Sequence, residues 1–193
     1  MIEPLECGNG AGRHDADSFS SLAQAPDVQK VRDHYYVYYA VSTLGSQTSA
    51  IGVATSRTMK SGSWTDHGAV IQSTPDDEYN AIDPNLFEDD GDLLLTFGSY
   101  WHNLFQVHLN YNATEPISDP RNVAYEPAGN HRIEGSYLYK YGPFYYLFYS
   151  WGVAGHYDTK MPAPGQEYRI KVCRSRFPSW GFVSAPFHLN DHL

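Results

Sequence analysis

Cysteine is scarce in this chain. Cys7 and Cys173 are its two cysteines and stand far apart in unlike contexts. They constrain the redox compartment very little, and no CxxC or Cys/His cluster reads as a zinc site. Positive charge is also short: 13 Lys and Arg against 22 Asp and Glu give a formal net charge of −9. That balance removes the basic footprint on which nucleic-acid binding leans, so nucleic acid is excluded as the main partner. No apolar run approaches the roughly 18 residues of a membrane-spanning helix, which leaves no membrane in the reading. Residues Met1 to Ala23 carry Glu3 and Glu6 and no apolar h-region, so they do not read as a signal peptide. Helical periodicity is missing as well, and 16 Gly with 12 Pro break up every candidate stretch.

What the chain has is aromatic strand. Aromatics make up 15% of it, with 16 Tyr and 4 Trp, against 18% charged residues, which favours β-strands over surface helices. Three copies of one pattern follow one another. Ala25-Pro26-Asp27-Val28 runs into Tyr35 to Tyr39, Ile82-Asp83-Pro84-Asn85 into Leu93 to Ser99, and Ile133-Glu134-Gly135-Ser136 into Tyr145 to Ser150. On this pattern Asp27, Asp83 and Glu134 are expected at equivalent positions, 56 and 51 residues apart. A period of that size marks a propeller or another repeat array. Strands are predicted at 27–31, 35–41, 50–56 and 64–71, then 84–88, 93–99, 104–109 and 122–125, then 135–140, 144–150, 167–175 and 180–184. Asp89-Asp90-Gly91-Asp92 and Tyr141-Gly142-Pro143 read as hairpin turns. The fold class is therefore all-β, a β-propeller of about three four-stranded blades. Residues 1–24 are expected to be an irregular leader, 25–183 the propeller part and 184–193 an irregular tail. Three blades are fewer than the four or more that usually close a propeller.

Acids at the start of innermost strands converge on a propeller's central cavity. Two carboxylates there can hydrolyse a glycosidic bond, one protonating the leaving oxygen while another activates water or attacks the sugar carbon. Asp beside Pro is also a turn former, so Asp27 is as readily structural as functional. Glu134 has no turn-based explanation, and the catalytic reading is preferred for Glu134 with Asp83. Around them lie Tyr79, Asn80, Ser99-Tyr100-Trp101-His102 and Trp151. Most tyrosines read as packing between sheets, and Trp101 is the best candidate for a sugar platform. His102 and His156 have no second ligand at a diagnostic spacing, so no metal is expected. Asn112-Ala113-Thr114 is a glycosylation acceptor pattern of small weight.

The segments Tyr79 to Leu86, Phe97 to Trp101, Ile133 to Lys140 and Glu167 to Ser175 together resemble glycoside hydrolase family 43, in its endo-1,5-α-L-arabinanase branch and most like the secreted fungal enzymes. Ala50 to Ser56 and Gly62 to Gly68 strengthen the resemblance, which covers about residues 25–183. It implies a five-bladed propeller that cleaves α-1,5-linked arabinan with inversion. Carried over by motif, Glu134 would be the proton donor and Asp83 the residue that tunes pKa and orients. Asn80, Ala81, Ile82, Asp83, Ser99, Tyr100 and Trp101 would line the sugar subsites, with Asp27 in a supporting, cavity-lining role. The family's base belongs to a His-Asp-Pro motif in the first blade, whereas here His14-Asp15-Ala16 stands about a dozen residues before Asp27 with no blade between. The expectation is thus an abbreviated family member with its base absent, its turnover doubtful unless another chain completes the ring. The resemblance further implies plant cell-wall arabinan or arabino-oligosaccharide as partner, a monomer, an extracellular setting, no certain cofactor, and room for a central calcium ion in the complete fold. The alternatives are a non-catalytic carbohydrate-binding or truncated propeller fragment, or β-xylosidase or α-L-arabinofuranosidase specificity.

Overall fold

The computed structural model describes residues 23–184 apart from 44, 128 and 156. Cys7, His14-Asp15-Ala16, His156 and nearly all of the expected leader and tail lie outside the described residues. The rest forms three four-stranded antiparallel sheets, each built from consecutive strands, with no helix among the described residues. Sheet one holds β1 (Ala23–Val31), β2 (His34–Ser42), β3 (Ser49–Ser56) and β4 (Thr65–Ser73). Sheet two holds β5 (Asn85–Asp89), β6 (Asp92–Phe97), β7 (Leu104–His108) and β8 (Arg121–Ala124). Sheet three holds β9 (Ile133–Tyr141), β10 (Phe144–Trp151), β11 (Arg169–Ser175) and β12 (Val183–Ser184). The first strand of each sheet contacts the first strand of the next, which is how propeller blades meet.

Period-two burial explains the stacking. In β2, Tyr36, Tyr38 and Ala40 are buried while Tyr35, Val37 and Tyr39 on the opposite face are only partly so. Tyr38, Ile51 and Val53 then pack with Leu95, Phe97 and Val107 in one core between sheets one and two. Leu104, Leu138, Leu147 and Tyr149 form the second core, between sheets two and three. The fully buried Tyr38 keeps its hydroxyl paired by donating to Ala113 O at 2.6 Å.

Two predicted strand starts shift inward. Segment 167–168 leaves the β10 ladder because Val153 bridges Glu167 in a parallel sense, so β11 begins at Arg169. After β11 the Ser175 hydroxyl donates to Trp180 O at 2.6 Å and accepts from Phe177 N at 3.0 Å, closing a turn that delays β12 to Val183.

The expected equivalence of Asp27 with Asp83 and Glu134 does not hold. Counted from the hairpin ends, where Val31 pairs with His34, Asp89 with Asp92 and Tyr141 with Phe144, Asp27 is level with Asn85 and Tyr137. Backbone conformation agrees: Ala25, Asp83 and Gly135, each two residues earlier, all have positive φ, at 45°, 55° and 59°. In β1 and β9 this kink falls within a break in strand register, where one extra residue is accommodated. Counting acids therefore misaligned the repeats. The true repeat is a structural brace: Asp27 Oδ2 accepts Leu86 N at 2.7 Å, and Asn85 Oδ1 accepts Leu138 N at 2.8 Å in the next sheet. Because Leu86 follows Asn85 directly, these two braces link all three sheets in turn.

Candidate active site

A cavity of about 560 Å³ opens where the ends of the three sheets meet. Sheet one contributes Ser42 and the loop after it, sheet two Asn80, Ile82, Ser99, Tyr100 and Trp101, and sheet three Asn130, His131 and Glu134. Glu134 stands near the start of β9, opposite Ser150 and beside the kink at Gly135. Each of its oxygens receives one hydroxyl: Ser99 Oγ donates to Oε2 at 2.7 Å and the Tyr168 phenol donates to Oε1 at 2.9 Å. Asp83, just before β5, accepts Gly135 N on Oδ2 at 3.1 Å. A carboxylate from sheet two is thereby tied to the residue following Glu134.

Burial is the main reason the Asp83 carboxyl is pushed up to about 6, and the neighbouring charge of Glu134 adds to it, against the opposing Gly135 N–H. Tyr168 is pushed up to about 12, first by burial and then by Glu134, with a hydrogen bond from Ser150 acting the other way. Burial and the same carboxylate raise Tyr100. A carboxyl group poised near neutrality beside a second one, in a cleft, is suited to proton transfer.

The sheet-two wall is shaped by backbone. At Gly98, φ is 120° and an added Cβ would lie 2.0 Å from Asn103 O, so only glycine allows the loop 99–103 to fold back. Gly98 N donates to Ile82 O at 2.8 Å and Tyr100 N to Ile133 O at 3.1 Å, which fixes the loop against both flanking segments. Fully buried Asn103 donates to His131 O at 2.6 Å and holds the sheet-three rim. Asn80 is buried with Oδ1 accepting from Ser49 Oγ at 2.7 Å, and Gln47 Nε2 donates to the carbonyls of Asp77 and Tyr79.

The predicted residues divide accordingly. Asn80, Ile82, Ser99, Tyr100, Trp101 and Glu134 reach the cavity wall together, while Asp83 is held to the amide of Gly135 next to Glu134. Ala81 is fully buried, its N–H donating to Ser73 Oγ at 2.9 Å, so it packs behind the wall. Asp27 is turned to the Leu86 amide. Tyr79 sits edge-on to Phe97 with centroids 5.4 Å apart, in the core. Trp151 carries Arg169 and Lys171 against its ring and donates its indole N–H to Glu126 Oε2 at 3.3 Å, so it is occupied within sheet three. His102 packs against Tyr125. Tyr168, His131 and the loop after Ser42 were missed. Tyr168 lies in the Glu167 to Ser175 segment that carries the resemblance, but nothing there singles it out as a site residue among 16 tyrosines, and the polar run Ser42 to Ser49 read only as a turn.

Among the described residues no group of three or more His, Cys, Asp and Glu stands close enough to hold a metal ion. Asp27 and Asp83 spend oxygens on backbone amides. The residues described do not by themselves fit a calcium ion, and no chemical step is derived through one.

The sequence profile of glycosyl hydrolases family 43 matches residues 9–176. The probable arabinan endo-1,5-alpha-L-arabinosidase A of Aspergillus flavus is 60% identical over 161 residues, covering 83% of this chain and 50% of that protein. The arabinan endo-1,5-alpha-L-arabinosidase A of Aspergillus niger is 56% identical over 162 residues, with the same coverage of 83% and 50%. Among solved structures, an exo-1,5-alpha-L-arabinanase from a bovine ruminal metagenomic library superposes with a TM-score of 0.75 at 33% identity, covering 85% of this chain and 55% of that one. The Cellvibrio cellulosa alpha-L-arabinanase complexed with arabinohexaose gives a TM-score of 0.75 at 31% identity, covering 87% and 57%. The chain thus spans about half the length of the curated relatives it matches. Its three sheets are blades of the five-bladed propeller to which these arabinanases belong. With a profile match over most of its length and sheets that superpose on solved arabinanases, the chain belongs to glycosyl hydrolases family 43.

Proposed function

We propose that the chain carries the acid half of an arabinan-cleaving site, and that its reaction is inverting hydrolysis of α-1,5-linked arabinan. Glu134 acts as the proton donor and Asp83 as the residue that tunes and orients it. One observation carries the reading: Glu134 reaches the cavity wall from one blade, and Asp83 of the neighbouring blade accepts the N–H of Gly135, the residue that follows Glu134. Burial first, and then the charge of Glu134, keep a proton on Asp83 up to about pH 6. In the reaction a proton passes from Glu134 to the glycosidic oxygen, the bond from that oxygen to the sugar carbon breaks, and water bonds to that carbon from the opposite face, giving its proton to a base outside the described cavity lining. Asn80, Ile82, Ser99, Tyr100 and Trp101 line the sugar subsites, while Ala81 and Asp27 support the wall from behind. Extracellular action on plant cell-wall arabinan belongs to the same proposal and rests on resemblance to the fungal relatives.

Hydrolysis of linear arabinan by the parent chain and by Glu134→Gln tests it. The glutamine chain is expected to lose about 10²–10⁴ in rate, and NMR of fresh product should show the inverted anomer. Equal turnover in both chains refutes the assignment. Binding of arabino-oligosaccharide without cleavage is a second reading, favoured by Glu134 being the one carboxylate among the described residues lining the cavity. Calorimetric binding with no released sugar separates the two.

A further inference from the structure

Tyr168 makes no ladder hydrogen bond of β11, yet it is held firmly. Its N–H donates to the Tyr157 hydroxyl at 2.6 Å, which itself donates to Val153 O at 2.9 Å. Val153 N donates to Gln166 O at 3.1 Å and bridges Glu167, so the segment 166–168 crosses the end of β10. Gly152 permits the crossing: its φ is 118°, and an added Cβ would lie 2.3 Å from Glu167 O. This is the same device as Gly98 on the other side of the cavity, where the close approach to Asn103 O seats Ser99. Two glycine crossings on two blades thus deliver two hydroxyls to the two oxygens of one carboxyl group. Ser150 stands opposite Glu134 in the ladder.

We propose that Tyr168 is a positioning residue for Glu134, holding Oε1 while Ser99 holds Oε2, so that the carboxyl plane is fixed toward the cavity and the anion left after proton donation is already solvated by protein hydroxyls. This rests on the proton-donor reading of Glu134. The proton balance is simple: Glu134 loses one proton to the glycosidic oxygen, and Tyr168 and Ser99 keep theirs throughout. A hydroxyl donating to a carboxylate favours its charged form, so removing it makes Glu134 a weaker acid.

The test is titration of the full chain labelled with ¹³Cδ glutamate, the Glu134 resonance being the one lost in Glu134→Gln. Tyr168→Phe is expected to move the Glu134 midpoint upward by about one pH unit, a tenfold weaker acid, at near-parental melting temperature. A midpoint unchanged in Tyr168→Phe overturns the proposal. Should the phenylalanine chain not fold, the parent labelled with ¹³Cζ tyrosine decides: a tyrosine resonance must titrate with the Glu134 midpoint, and its absence overturns the proposal equally. Neither readout needs turnover. A shifted midpoint in a chain that releases no sugar therefore sinks the hydrolase reading and leaves Tyr168 in its place, whereas turnover with an unshifted midpoint does the reverse.

Discussion

Asp27 offers the sharpest test of the brace between blades. Replacing it with alanine strips Leu86 N of its acceptor in a strand that is 3% exposed at that residue. An unpaired buried amide costs about 1–3 kcal/mol. Against this stands the cost of burying the carboxylate. Burial holds the Asp27 carboxyl above its ordinary value of 3.8, outweighing the hydrogen bonds from Leu86, Gln29 and Asn85. A group whose folded value is raised contributes stability that is complete below 3.8 and disappears as pH rises through the folded value. At neutral pH the charge is therefore a liability and only the acceptor matters. Asparagine supplies that acceptor without the charge, as Asn85 already does for Leu138 N, with the Gln29 amide turning over to accept. Urea unfolding followed by tryptophan fluorescence should show Asp27→Ala losing about 2 kcal/mol at pH 7 and Asp27→Asn within about 0.5 kcal/mol of the parent. The asparagine chain should also gain on the parent as pH rises from 3.5 to 7. Equal losses in both variants would refute the brace and return Asp27 to a role requiring its negative charge.

Three other outcomes follow from the same geometry. Asp83, at about 6, also contributes stability present below 3.8 and lost as pH rises through 6; Asp83→Asn should flatten the unfolding free energy across that window by about 3 kcal/mol, and an unchanged slope contradicts its burial beside Glu134. Gly98→Ala, with its Cβ 2.0 Å from Asn103 O, should cost more than about 3 kcal/mol in thermal unfolding, and a stable alanine chain means the loop 99–103 is not held as described. Leu147→Ala, in the core between the second and third blades, should cost about 2–5 kcal/mol, read in the same melts.

The strands were legible because their signals are local. Alternating burial in Tyr35 to Tyr39 and the Asp90-Gly91 turn need no distant partner, and β2 and β6 begin within a residue of expectation. Glu134 and Asp83 were singled out because the motifs around them are long. Register was misread because Ala-Pro-Asp and Asp-Pro-Asn differ only in which side of the proline carries the acid. Between Asp27 and Asp83 the slip is two residues, which leaves every side chain on its own face of the strand and no trace in the hydrophobic pattern; Glu134 stands one residue before the level of Asp83, within the register break of β9. Tyr168 could not be seen, since its contact with Glu134 depends on a glycine crossing at position 152 that no strand pattern encodes.

The left-handed kink that opens each innermost strand is occupied by alanine, aspartate and glycine in turn. What the architecture demands there is a backbone conformation, and the side chain is free to be spent on chemistry. Aspartate tolerates such a conformation at least as well as alanine does, so Ala25→Asp would graft an acidic group onto the first blade at the station Asp83 holds on the second. The scaffold is in that sense interchangeable from blade to blade, and its reactivity can be rewritten without redrawing its shape.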